Sequence, residues 1–254
     1  PPDLARPGAV DDVDWAARKS PGWAERADYV EKVYESLSLN GFTEKTIVDP
    51  AFGGWSEAKT TAEDRATFRR LREFRGLGRP MLVSINRKNF LREVADRDTE
   101  RALPPSLAAT AMAVERGAHA IRTHDVAETR DAALIGAEFA RRRLREPGDV
   151  AVEELDVTTT GEATRHLDRL GADGALADRT TCRVFEIDGL SADDRAALGA
   201  AAAGTDAVVA PAAAENAALL AGSPAALGAV TATTGGSDAL AAALERIAGD
   251  LRPV

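Results

Sequence analysis

The chain lacks several features on which common functional classes rest. It has one cysteine, Cys182, in 254 residues, which excludes an internal disulfide framework and any multi-cysteine zinc site. No apolar run approaches ~18 residues, so a membrane span is not expected. No secretory signal is visible either, and with so little cysteine a cytoplasmic location follows as the default. A basic stripe is missing: net charge is -9, and all of it falls in residues 151–254, which carry 16 acidic and 7 basic side chains. That balance argues against nucleic acid as a partner. No Ser-His-Asp or Cys-His signature marks a nucleophile, and no exact internal repeat is present. The chain begins Pro1-Pro2 rather than with methionine, and reads as a fragment or processed product. What remains is a chain with 44% hydrophobic residues, enough to bury a core in one large domain or two small ones.

Three apolar runs of strand length end abruptly in polar or cationic side chains: Thr46–Phe52, Met81–Ile85 and Ala120–Thr123. Between them lie helix-period stretches. An opening segment, 1–20, is rich in Pro, Asp and Gly. Pro21 then starts a helical stretch through Trp23, Ala27, Val30, Val33, Tyr34 and Leu37, which Asn40-Gly41 stops. Thr61–Gly76 reads as a helix with Phe68, Leu71 and Phe74 on one face. A further helix starts at Pro104-Pro105 with Ser106 as a candidate cap and ends at Gly117. Val126–Leu144 reads as an amphipathic helix whose Arg141-Arg142-Arg143 complements the dipole. This alternation is the pattern of a β/α barrel, in which functional groups sit where strands end.

Pro147-Gly148 gives the expected boundary, with 1–146 as the barrel portion and 147–254 as a small α/β extension. In the extension strands are expected at Val152–Val157, Cys182–Ile187, Ala207–Ala210 and Ala229–Thr233. Helices are expected from Glu162, Ala192, Ala213 and Asp238, with Thr160, Ser191 and Ser237 as caps. Val230–Asp238 reads as a strand, a glycine turn and a helix start, without the lysine of a P-loop. His119, His166 and Cys182 read as structural single residues.

The strand ends supply Asp49, Lys88, Arg122 and His124. Asp49 can accept two hydrogen bonds from an amino-pyrimidinone edge, or can cap a turn. Lys88, in Asn86-Arg87-Lys88-Asn89, can donate to ring oxygen or nitrogen, or belong to a solvated basic turn. Arg87 can hold the loop by pairing with a carboxylate. Arg122 binds phosphoryl oxygens as a fork, and His124 shares its side of the strand by alternation. Asp125 then points the other way and orients the loop. One acid beside three cationic or proton-carrying groups suits a ring with hydrogen-bonding edges and an anionic tail.

Asp49-Pro50-Ala51-Phe52-Gly53, Asn86-Arg87-Lys88 and Ile121-Arg122-Thr123-His124-Asp125-Val126 resemble the last three strand-end motifs of the dihydropteroate synthase family, over roughly residues 25–145. The resemblance implies the C-terminal part of a (β/α)8 TIM barrel followed by a small α/β domain. It implies an enzyme joining 4-aminobenzoate to a dihydropterin diphosphate, with Asp49 and Gly53 at the pterin and Lys88 between pterin and aminobenzoate. Asn86 and Thr123 fall among the substrate contacts, and Arg122 and His124 bind diphosphate. A homodimer and magnesium are implied for the intact enzyme, the magnesium held by a loop absent from this chain. Ala51 departs from the family glycine, Gly54-Trp55 stands in place of Phe-Gly-Lys, and Asn86 in place of serine. Trp55 is a candidate to take over the ring contact of that loop. The first five strands are missing, and the isolated chain is therefore expected to be inactive. A pterin-dependent methyltransferase and a non-catalytic dimerisation module are the alternatives.

Overall fold

A computed structural model describes residue 10 and residues 13–39, 41–53, 59–147, 150–212, 214–233 and 235–251. The chain divides into two compact units, Pro1–Glu154 and Leu155–Val254.

In the first unit the helical stretch from Pro21 is two helices, not one. After a single turn, α1 (Trp15–Arg18), α2 (Pro21–Arg26) is capped by Ser20 and has proline in its first turn, where no amide partner is lost. The chain becomes extended at Ala27, and Asp28 opens α3 (Tyr29–Ser38) with a reciprocal Asp28–Glu31 capping box. That local signal overrides the continuous apolar spacing. Asn40 lies outside the described residues.

The three expected strands are present as parallel neighbours but are shorter than their apolar runs. Val48 bridges Met81, β1 is Leu82–Val83 and β2 is Ala120–Ile121, paired Leu82 to Ala120 and Val83 to Ile121. No closed barrel forms among the described residues. Closure needs about eight tilted strands, and three leave open edges that fray the pairing. Between Val48 and β1 lie α4 (Thr61–Arg69), capped by a Thr60–Glu63 box, and a 3-10 turn, Leu71–Leu77. The expected helix to Gly76 thus changes pitch at Arg70. Two helices, α5 (Asn89–Ala95) and α6 (Leu103–Glu115), connect β1 to β2. Ser106 lies inside α6 instead of capping it: its hydroxyl donates to the Ala102 carbonyl and accepts the Arg87 amide at 2.8 Å.

The core of this unit gathers most of the phenylalanines. Phe52, Phe68 and Phe90 form a mutual cluster with centroids 5.6–5.9 Å apart, and Phe74, Leu71, Met81, Val83 and Ile85 complete it. Packed on α6 is α7 (Val126–Glu138). Gly136 permits that approach, because a Cβ there would meet the Ala111 carbonyl oxygen at 2.4 Å. The helix stops at Glu138, short of Leu144. Arg141 instead pairs with Glu154, whose carboxylate also accepts the Leu144 amide. β3 (Arg145–Glu146) then turns back onto β4 (Val152–Glu153). The arginine triplet therefore does not complement a helix end.

In the second unit α8 (Thr160–Leu170) is capped by Thr159, one residue before the expected cap. β5 (Arg183–Ile187), α9 (Ala192–Ala202), β6 (Val208–Pro211), β7 (Ala218–Gly222), α10 (Pro224–Thr233) and α11 (Asp238–Asp250) follow. The sheet runs β5-β7-β6, antiparallel throughout. Two expectations fail here. A strand, not a helix, occupies 218–222, and its central place in the sheet compensates for the absence of β-branched residues. Conversely 229–233 is helical: Ser223 accepts the Ala226 amide, Pro224 opens the helix, and Val230 is buried in the core. Of the Val230–Asp238 segment, Val230–Thr233 is therefore the end of α10 and Ser237 the cap of α11. Cys182 is exposed.

Candidate functional site

The Asp49 turn is built by its own backbone. The Asp49 carboxylate accepts the Ala51 amide at 2.8 Å, and Ala51 and Gly53 both have positive φ, 57° and 105°. Ala51 thus occupies a left-handed position where glycine is the relaxed residue. Gly53 is required for a second reason: a Cβ there would come within 2.8 Å of Lys88 Nζ. The Lys88 ammonium is therefore packed over the turn that carries Asp49.

Asp49, Lys88 and Arg122 lie within electrostatic reach of one another. Burial raises the Asp49 pKa, opposed by the Ala51 amide and by Arg122, Lys88 and Lys59. Burial also lowers that of Lys88; neighbouring Arg122 adds to this, while Asp64 and Asp49 act against it. A half-buried carboxylate with raised pKa thus lies within electrostatic reach of a half-buried ammonium with lowered pKa, a combination able to donate to and accept from a polar ring.

A second network fixes the loop after β1. Asp125 receives a bidentate fork from Arg87, both bonds 3.0 Å, and a 2.9 Å bond from the Asn86 amide. These donors lower the Asp125 pKa, Arg87 first. Arg87 also donates to the carbonyls of Thr99 and Glu100, so one guanidinium joins three loops. Asn86 is accordingly spent on Asp125, although its Oδ1 is buried with no hydrogen-bond partner among the described residues. Thr123 is likewise engaged: its hydroxyl accepts the Asp125 amide and bonds Thr129. Arg122 and His124 are exposed and alternate with Thr123 and Asp125, which are half-buried. Arg122 Nε is steadied by Ser84 Oγ at 3.1 Å, and His124 lies near enough to Asp125 to favour its ionised form.

Sequence reasoning missed the buried pair beneath the turn, Lys59 and Asp64, 2.6 Å apart. The available signal was a lysine in an arginine-rich chain directly ahead of the Thr60–Glu63 capping box. It also missed that His119 accepts the Met81 amide through Nδ1 at 3.2 Å and that His166 contacts Arg169. Trp55 and Gly54 lie outside the described residues.

Residues 14–124 match the pterin binding enzyme family. The chain is similar to dihydropteroate synthases. It is 32% identical over 104 residues to that of Escherichia coli K12, covering 41% of this chain and 36% of the relative. It is 32% identical over 103 residues to that of Bacillus subtilis, covering 39% and 35%. A solved dihydropteroate synthase from Coxiella burnetii, in complex with pteroic acid, is 34% identical over 43% of each chain, with a TM-score of 0.40. The chain spans about a third of the length of the curated relatives it matches.

Proposed function

We propose that this chain supplies the C-terminal strand-end portion of a dihydropteroate synthase site. The reading is carried by one observation: Asp49, Lys88 and Arg122, from three neighbouring strand ends, lie within electrostatic reach of one another. Asp49 takes the N–H and NH₂ edge of the pterin, Lys88 its ring heteroatoms and the border of the 4-aminobenzoate pocket. Arg122 and His124 take the diphosphate. The bond broken joins the pterin methylene carbon to a diphosphate oxygen. That oxygen leaves with the electron pair, and fixed cations stabilise the growing charge. The aminobenzoate nitrogen forms the new bond to the methylene and then loses a proton to solvent, so no strong base is required.

Magnesium is implied only for the intact enzyme. Among the described residues no group of three or more His, Cys, Asp or Glu side chains could hold a metal ion. Our reading leaves the metal to the part of the barrel outside this chain. Homodimerisation is supported by the exposed apolar side chains of α7 and its end, Leu134, Ile135 and Phe139. No described helix is long and apolar enough to cross a membrane, and we retain the cytoplasm as the compartment.

The test separates the two halves of the ligand. In a complete barrel carrying these strands, Arg122→Ala should weaken diphosphate binding by roughly 10- to 100-fold, the worth of a charge-assisted fork, and 4-aminobenzoate binding much less. Equal losses would refute the assignment. The chain by itself should form no dihydropteroate, and measurable turnover would overturn that part.

A further inference from the structure

We propose that the buried Lys59–Asp64 pair is the positioning element of this site, clamping the 49–53 turn that carries Asp49 and on which Lys88 packs. Its side chains are only 1% and 3% exposed. Burying two charges carries a large desolvation cost that apolar residues of similar size would avoid. The pair therefore needs a reason beyond cohesion, and its remaining hydrogen bonds supply one. Lys59 Nζ donates to the Ala51 carbonyl, and both Asp64 oxygens accept the Gly53 amide, at 3.2 and 3.1 Å. The turn is gripped by a carbonyl from one end and an amide from the other. The ammonium also lies 5.6 Å from the Tyr29 ring centre and 6.0 Å from that of Phe52, which anchors it to the core.

Such a grip matters because the turn contains two left-handed positions, and Ala51 has a side chain. Strained backbone persists only where surroundings over-determine it. Lys88 packs on Gly53, so the position of the turn sets the space open to the ammonium. Neither Lys59 nor Asp64 is assigned a ligand contact, and both act through the residues that have one. The functional consequence rests on the pterin-site reading above, whereas the mechanical one does not.

The chain has five lysines, Lys19, Lys32, Lys45, Lys59 and Lys88, so trace acylation with an N-hydroxysuccinimide ester can be read at each by mass spectrometry. In K59M/D64L the Lys88 rate should rise at least about fivefold while Lys19, Lys32 and Lys45 stay within about twofold, as expected when only a supporting shell is lost. K59M/D64N keeps an amide oxygen for the Gly53 amide and should fall between, which also serves if the first variant does not fold. Affinity for 6-hydroxymethylpterin should drop about tenfold or more in K59M/D64L, with inorganic diphosphate within about twofold, since a misplacement near 1 Å has effects of that order or larger. Unchanged Lys88 labelling in a folded variant, or a uniform rise at every lysine, would overturn the proposal. Absence of pterin binding by the unmodified protein would instead sink the pterin-site reading, and the labelling would still decide the clamp.

Discussion

The two units use acidic side chains in opposite ways. In the first, carboxylates face cations: Asp64 with Lys59, Asp125 with Arg87, Asp49 near Lys88 and Arg122. In the second, buried acids serve largely as caps. Asp194 accepts the Ser191 and Ser237 amides and so ties the start of α9 to the start of α11, and Glu162 accepts the Thr158 amide. The cores differ too. Aromatic rings fill the first, while Leu198, Leu220, Leu227, Leu240 and Leu244 fill the second. Asp64 and Asp125 are thus each matched to a cation, whereas Asp194 and Glu162 are matched to backbone amides and hydroxyls.

This contrast can be broken by substitution. The largest effect is expected at Asp64, where alanine leaves the buried Lys59 charge without its carboxylate. Denaturant unfolding of Asp64→Ala should show a loss of roughly 3–5 kcal/mol. A loss under about 1 kcal/mol would mean that the pair is not buried as described. Next comes Gly136→Ala, whose methyl group runs into Ala111 backbone. Forcing α6 and α7 apart should cost roughly 1–3 kcal/mol, read from the same unfolding curves.

The capping acids predict a response to pH in the second unit. Backbone amides of Ser237 and Ser191 and the Ser191 hydroxyl hold the Asp194 pKa down to about 2. A depressed carboxylate contributes its stability above the ordinary value and loses it as pH falls through the folded one. The second unit should therefore weaken between about pH 4 and pH 2, and Asp194→Asn should flatten that segment of the acid titration. In the first unit His119 gives a milder counterpart. Burial, with nearby Arg143, Arg75 and Arg145, lowers its pKa, so its contribution is complete above about pH 6.5 and declines as pH falls further. His119→Asn, which keeps an acceptor for the Met81 amide, should remove that decline. The smallest effect is expected at Ala51: glycine relieves the left-handed strain but adds chain entropy, for a net gain within about 1 kcal/mol.

Much of the first unit was legible because strand ends and helix caps are local. The runs at Val48, Leu82–Val83 and Ala120–Ile121 paired in the expected parallel order, and their lengths were overestimated because pairing, not apolarity, ends a strand. Ser191 and Ser237 cap their helices as read. The pairing of Arg87 with Asp125 was also readable from residue types. Lys59 was not, since its partners are set by the turn's path, with nothing periodic to mark them. In the second unit Val-Thr-Ala-Thr, residues 230–233, has strand propensity but sits inside a helix begun by Ser223-Pro224, and Ala-Leu-Leu-Ala-Gly has little yet forms the central strand. There tertiary placement outweighed propensity.

Asp125 precedes α7 yet makes no side-chain capping bond to it, having turned its carboxylate to Arg87. The leading amides of α7 therefore keep their share of the helix dipole, a standing positive charge of about half an electron unit. This contribution belongs to the main chain. Removing both Arg122 and His124 would leave it intact, so an anion drawn to this rim would lose most of its hold there without losing all of it.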